Sequence, residues 1–317
     1  MKKNIFYLFP ILFLFLVTSC GSEDEPMPEP MTIVETAQAT ADLSLLVEAV
    51  VAADLVDALN SGTFTVFAPN NAAFQALLDS DPTWNTVADI PVDVLTSVLL
   101  FHVVEGEVRA ADLSDTYVPT LSTGPNMEPL SLQITTTGGV AFDGDAAPLT
   151  TDVETSNGVV HIIDKVMLPN ALTDFALSNP DFSALVGALT DPRFSGAYLG
   201  ALTTPGAVYT VFAPNNAAFQ ALLDSDPTWN TTADIPEATL GAVLNYHVVA
   251  GANYQSDQLL DGQVVTMLGS GDVTVDKSNG GAALVTGSGQ TVNIILTDVQ
   301  GTNGVIHVVE EVLLPQP

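Results

Sequence analysis

Cysteine is all but missing from this 317-residue chain: Cys20 stands alone. One thiol excludes an internal disulfide and any cage of several cysteines around a metal. Bases are scarce as well, with six Lys and Arg against 37 Asp and Glu and a net charge of −31. Such a surface repels phosphate backbones and anionic lipid headgroups, which excludes nucleic acid as a partner. It suits solubility and a loose attraction for divalent cations. Long apolar runs are absent after residue 17, so nothing beyond that point reads as a membrane span. What is present is apolar substance: 47% of residues are hydrophobic, which rules out a disordered chain, and the length holds two domains with separate cores.

The first residues, "MKKNIFYLFPILFLFLVTSC", place Lys2 and Lys3 before an apolar run from Ile5 to Val17. At 13 residues this run is short for a membrane helix and right for the core of a signal peptide. It ends in Val17-Thr18-Ser19-Cys20, which resembles a bacterial lipobox. The resemblance implies removal of residues 1–19 and lipidation of Cys20. Only Arg109, Lys165, Arg193 and Lys277 then remain as bases. Residues 20–31 are acidic and Pro-rich and read as an extended tether. Glu23, Asp24 and Glu25 resemble the acidic export signal of surface-exposed bacterial lipoproteins. The expected location is therefore the bacterial envelope, at the outer membrane or its exterior, with membrane contact only through the lipid.

The segment "TVFAPNNAAFQALLDSDPTWNT" occurs twice, at 65–86 and 210–231, without a change. Around it, Phe64–Pro91 and Tyr209–Pro236 agree at 26 of 28 positions. Phe101-His102 recurs as Tyr246-His247 at the same offset of 145, and "SNGVVHIIDKVMLP" recurs as "TNGVIHVVEEVLLP" at an offset of 146. An offset this constant means two copies of one domain, with expected bounds 32–169 and 170–317.

Within a copy the pattern changes period once. "TADLSLLVEAVVAADLVDALNSG" has helical apolar spacing and a C-terminal stop at Asn60-Ser61-Gly62. "FTVFAP" reads as a short strand, and Asn70 or Asn71 as a cap for the helix after it. Pro91 opens a further helix whose stripe carries Val94, Val98 and His102. The second half is β runs broken by Gly, Asn and Asp, and "GVVHIIDKVMLP", apolar on both faces, predicts a central strand. Helices followed by strands, without βαβ alternation, give an α+β class.

In order and spacing, "TVFAPNNAAF", "FHVV" or "YHVV", and "NGVVHIID" or "NGVIHVVE" resemble the fasciclin-like domain family. The motifs span both copies, from about residue 32 to 315. The resemblance implies two tandem domains, each a β-wedge or sandwich of about seven strands packed with short helices. It also implies cell adhesion and matrix contact. In the family the Tyr-His pair is linked to adhesion, which carries over to Tyr246 and His247. Phe101 and His102 match it less well because Phe101 lacks the hydroxyl.

All four histidines fall in these motifs: His102, His161, His247 and His307. Their apolar neighbours predict buried, neutral, hydrogen-bonded imidazoles with a structural role. Asp79 and Asp81, repeated as Asp224 and Asp226, fail the calcium-loop pattern because Trp84 stands where a Gly is required. Trp84 and Trp229 read as core anchors. No nucleophile elbow, zinc-protease helix or phosphate loop occurs. No catalytic residue, metal ligand or cofactor is expected. The resulting expectation is a non-enzymatic surface lipoprotein binding protein or glycan partners, with binding of a small apolar ligand or lipid as the alternative.

Overall fold

The single change of period in each copy is matched by a single change of architecture. The computed structural model describes residues 30–269, 271–278 and 280–316. The signal-peptide, tether and Cys20 readings thus lie almost wholly outside the described residues.

The first copy begins with helices α1 (Ile33–Ala39), α2 (Ser44–Ala52) and α3 (Val56–Asn60), then strand β1 (Phe64–Pro69), α4 (Asn71–Asp79) and α5 (Val92–Phe101). Strands β2 (Val103–Glu105), β3 (Thr116–Thr123), β4 (Pro129–Thr135), β5 (Ala141–Phe142), β6 (Pro148–Thr155) and β7 (Gly158–Ile163) complete it. The second copy repeats this order with α6 (Leu172–Ser178), α7 (Ser183–Leu189), α8 (Ala197–Leu202), β8 (Tyr209–Pro214), α9 (Asn216–Asp224) and α10 (Glu237–Asn245). Its remaining strands are β9 (Val248–Ala250), β10 (Val264–Thr266), β11 (Asp272–Asp276), β12 (Ala283–Thr286), β13 (Thr291–Gly301) and β14 (Gly304–Val309).

Each copy forms one seven-stranded sheet, in the orders β5-β4-β3-β2-β1-β7-β6 and β10-β11-β12-β13-β14-β8-β9. These are the same ring of strands opened at different seams. The first copy is open between β5 and β6. The second is open between β9 and β10, where the Leu268 N–H still donates to the Val248 carbonyl at 2.6 Å. A curled sheet of this kind has two faces to bury. One packs under the helices around Phe74, Leu95 and Leu99, repeated as Phe219, Leu240 and Leu244. The other closes on itself around Phe67, Phe101 and Phe142, and in the second copy around Phe212 and Tyr246.

The closing strand is central, as its two apolar faces require. β7 runs parallel to β1 and antiparallel to β6, and β14 sits likewise between β8 and β13. Its first residue must be glycine. At Gly158, with φ +145°, an added Cβ would lie 1.8 Å from the Phe64 carbonyl oxygen, and Gly304 meets Tyr209 in the same way at 2.0 Å. The preceding Asn157 explains the rest of the "NG" motif. Its Oδ1 accepts the Ile33 N–H at 2.8 Å, and its Nδ2 donates to the carbonyls of Leu59 and Gly62.

The first long helical pattern is not one helix. It breaks after Ala52, where Asp54 takes a left-handed conformation at φ 56°. The Leu55 N–H donates to Val50 and the Asp54 N–H to Val51, a Schellman ending made without the usual glycine. On α5 the buried stripe is Leu95, Val98 and Leu99, leading to His102, while Val94 faces solvent.

Candidate functional site

The repeated segment uses its polar side chains inside the domain. Asn70 caps α4 by accepting the Ala73 N–H, whereas Asn71 reaches back to accept the Leu45 N–H and donate to the Ala41 carbonyl. Asn215 and Asn216 do the same for α9 and α7. Asp89 accepts the N–H groups of Asn85 and Thr86, and Asp81 holds Thr83. These donors hold both carboxyls below the usual range, although both are solvent-exposed. Trp84 and Trp229 are half-buried against the helical cores.

The four histidines form two kinds of tie. His102 and His247 follow helices α5 and α10. The Met167 N–H donates to His102 Nε2 at 2.9 Å, so Nδ1–H donates to the Val98 carbonyl at 2.7 Å. His247 is bound identically by Leu313 and Val243. Both rings therefore pin the chain segment that leaves the central strand. Burial pushes both imidazoles down to about 4, so they are neutral at pH 7.

His161 and His307 lie on β7 and β14, stacked on Phe67 and Phe212. Nε2 of His161 donates to the Val108 carbonyl, and Nε2 of His307 to the Tyr254 carbonyl, each at 2.8 Å. Their Nδ1 atoms face the N–H groups of Asp152 and Asp298 at 3.4 Å. Burial lowers the pKa of His307. Asp152 and Asp298 occupy bulges of β6 and β13 at positive φ, and their carboxylates accept the N–H groups of Ala110 and Ser256. Thr65 and Thr210 grip the same two loops, at Gly106 and Val108 and at Ala252 and Tyr254. Each copy thus holds one loop rigidly from beneath by a Thr, a His and a bulge Asp. The loops and their Asp anchors escaped sequence reading. The signal was the recurrence of Asp152 and Asp298 at the 146-residue offset.

The side chains these loops present differ between the copies. The first presents Glu107 and Arg109, which pairs with exposed Glu154 at 2.7 Å. At the positions 146 residues later stand Asn253, Gln255 and Gln300, all buried. Gln300 Oε1 accepts from Asn253 and Gln255, and its Nε2 donates to the carbonyls of Gly301 and Gly304. This amide cluster lies against the first copy. Asn253 Nδ2 donates to the Pro125 carbonyl, and the Gln300 N–H donates to Ser131 Oγ at 2.9 Å. Neutral amides suit the buried loop and ion pairs the exposed one, because burying a charge costs far more than burying a bonded amide. Asn253 Oδ1 is the one buried side-chain oxygen or nitrogen without a partner among the described residues. A second contact follows at Tyr117, whose hydroxyl accepts from Asn179 at 3.0 Å, and Ser178 Oγ donates to Gln133.

Tyr246 is 1% exposed and donates its hydroxyl to the Asp272 carbonyl at 2.7 Å, and His247 is 4% exposed. The pair offers a partner no accessible side chain in this conformation, and Phe101 and His102 are equally buried. The four bases among the described residues are each engaged: Arg109 with Glu154, Lys165 with Asp145, Arg193 with Asp191, and Lys277 with the Ser256 carbonyl. Among the described residues no group of three or more His, Cys, Asp or Glu is placed to hold a metal ion, and no helix is long and apolar enough to cross a membrane. The apolar voids under the helices are small, about 30 Å³ in the first copy and about 20 Å³ in the second.

Comparison with known proteins gives a consistent set of likenesses. The model of the fasciclin domain matches residues 41–169 and 180–315. Protein sll1483 of Synechocystis is 41% identical over 140 residues, covering 44% of this chain and 74% of the relative. Transforming growth factor-beta-induced protein ig-h3 of Sus scrofa is 29% identical over 264 residues, covering 80% of this chain and 35% of the relative, so the chain spans about a third of that protein. A solved FAS1 domain pair from the insect cell adhesion molecule fasciclin I superposes with a TM-score of 0.50 at 20% identity, covering 84% of this chain and 95% of the other.

Proposed function

Because this chain belongs to the fasciclin domain family, we propose that it is a non-enzymatic adhesion or interaction protein, lipid-anchored at Cys20 and working at the surface of a bacterial envelope. The carrying observation is the use made of its histidines. All four imidazoles, the side chains best suited to acid–base chemistry at neutral pH, are buried with both ring nitrogens facing backbone groups. What remains to act is surface. The adhesion role named for the insect relative supports this reading.

In this reading residues 1–19 are removed and residues 20–31 form the tether. The domains run 32–169 and 170–317. The Tyr246–His247 pair supports adhesion from below, by fixing the β10–β11 corner and the segment at Leu313. The partner is a protein or glycan. The apolar-ligand alternative has less support, because voids of about 30 and about 20 Å³ fall far below the roughly 300–1,000 Å³ of ordinary ligand sites.

The test is direct. Beads coated with the purified protein should adhere to cells or matrix preparations, and soluble protein should compete. Absence of adhesion would remove the proposal, and a turnover activity would replace it with an enzymatic one. For the anchor, Cys20→Ser should abolish labelling by radioactive palmitate and release the protein from membranes.

A further inference from the structure

A groove runs along the junction of the two domains. One part, of about 400 Å³, lies between Ser131 of the first domain and Gln255 of the second. The next, of about 660 Å³, lies between Gln133 and Asn179. Tyr117 and Leu296 line both parts, so the two adjoin at these side chains. Each part has the volume of an ordinary ligand site, unlike the voids beneath the helices.

We propose that this groove binds a neutral oligosaccharide, with Tyr117 as the surface on which a sugar ring packs. The inference rests on the adhesion reading above and names the chemistry of its partner. Tyr117 is held as a fixed plate: its ring meets Phe175 edge-on at 5.7 Å, and its hydroxyl accepts from Asn179 at 3.0 Å, leaving the hydroxyl proton to donate. Gln133 is 4% exposed, and its Oε1 accepts from Ser178 while its Nε2 has no partner among the described residues and lies at the groove. Gln255 is 8% exposed and spends its Nε2 on Gln300, which leaves its Oε1 to accept. A ring platform flanked by spare amide donors and acceptors matches a ligand dense in hydroxyls.

Charge narrows the class. Asp181, Asp257 and Glu128 line the groove and no Lys or Arg stands among its described lining residues, so an anionic glycan is repelled. A cationic peptide meets fewer free carboxylates than the lining contains. Asp115 is already saturated by Thr136 and Thr137, and Asp298 by Ser256. Asp181, Asp257 and Glu128 have no side-chain partner among the described residues and can accept sugar hydroxyls, beside the spare amide groups of Gln133 and Gln255.

The experiment applies the labelled protein to an array of neutral hexose oligosaccharides beside uronate-bearing and sulfated glycans, with an immobilised Lys-rich peptide as a separate arm. Binding to neutral glycans is expected, weakened about tenfold by Tyr117→Ala and retained by Tyr117→Phe. Because Tyr117 touches the second domain, Leu296→Glu provides an independent arm: it alters the groove wall at a half-exposed position and should also reduce binding at an unchanged melting temperature. Preference for sulfated glycans or the peptide, or binding that survives both Tyr117→Ala and Leu296→Glu, overturns the assignment. So does a silent array. If the array is silent while coated beads still adhere to cells, the groove assignment falls and the adhesion reading stands. If the beads fail too, the adhesion reading falls with it.

Discussion

A histidine buried as a neutral ring makes the fold sensitive to acid. For His102 and His247 the folded value is about 4, against an ordinary value of 6.5. The sign follows from linkage: the unfolded chain binds these protons first, so their contribution is complete above pH 6.5 and is lost as pH falls toward 4. Proton NMR should show both imidazoles untitrated down to about pH 5, whereas titration near pH 6.5 would refute the buried geometry. His102→Ala should cost about 3 kcal/mol in chemical denaturation, since it leaves the Val98 carbonyl and Met167 N–H unpaired. Asp143 works in the opposite sense. Burial raises its carboxyl to about 7, with Asn170 donating to it. The folded state then holds the proton, so stability is lost as pH rises from 4 through 7. Asp143→Asn keeps an acceptor for Asn170. Its thermal-stability gain over the parent should grow across that range and level off above it.

Among elements, the central strand matters most, because β7 and β14 join the helical half of each domain to its sheet. Gly158→Ala places a methyl group on the Phe64 carbonyl and should remove at least about 3 kcal/mol, read by denaturant titration. An unchanged midpoint would show that β1 and β7 do not pair as described. The Asn and Gly breaks between β runs and the "PNN" cap were legible. Their second duties were not. That Asn71 ties α2 and Asn157 ties α1 depends on residues about 26 and 124 positions away, and local pattern carries no record of such partners. The break at Asp54 was hidden for a related reason: the helix ends on a left-handed aspartate, where sequence rules look for glycine.

At the scale of the whole molecule, the two copies diverge where they touch. Glu107, Arg109 and Glu154 in the first copy stand at the positions of Asn253, Gln255 and Gln300 in the second. Gln300→Glu would bury beside the first domain the charge that position 154 keeps in water. It should loosen the junction and enlarge the radius of gyration in small-angle scattering, while circular dichroism of each sheet persists. An unchanged radius would mean the amide cluster does not hold the pair together.

The sequence by itself determined the duplication, the α+β class, the central strand, the capped helix after "TVFAP" and the burial of the histidines. All of these follow from spacing, from period and from the cost of placing polar groups among apolar neighbours. Tertiary structure alone decided what the histidines hold, where each sheet opens and which loop faces the other domain. It also decided that Tyr246 points inward and that a groove forms between the copies. Those outcomes depend on contacts between residues far apart in the chain, whose energies are set by geometry that no local pattern encodes.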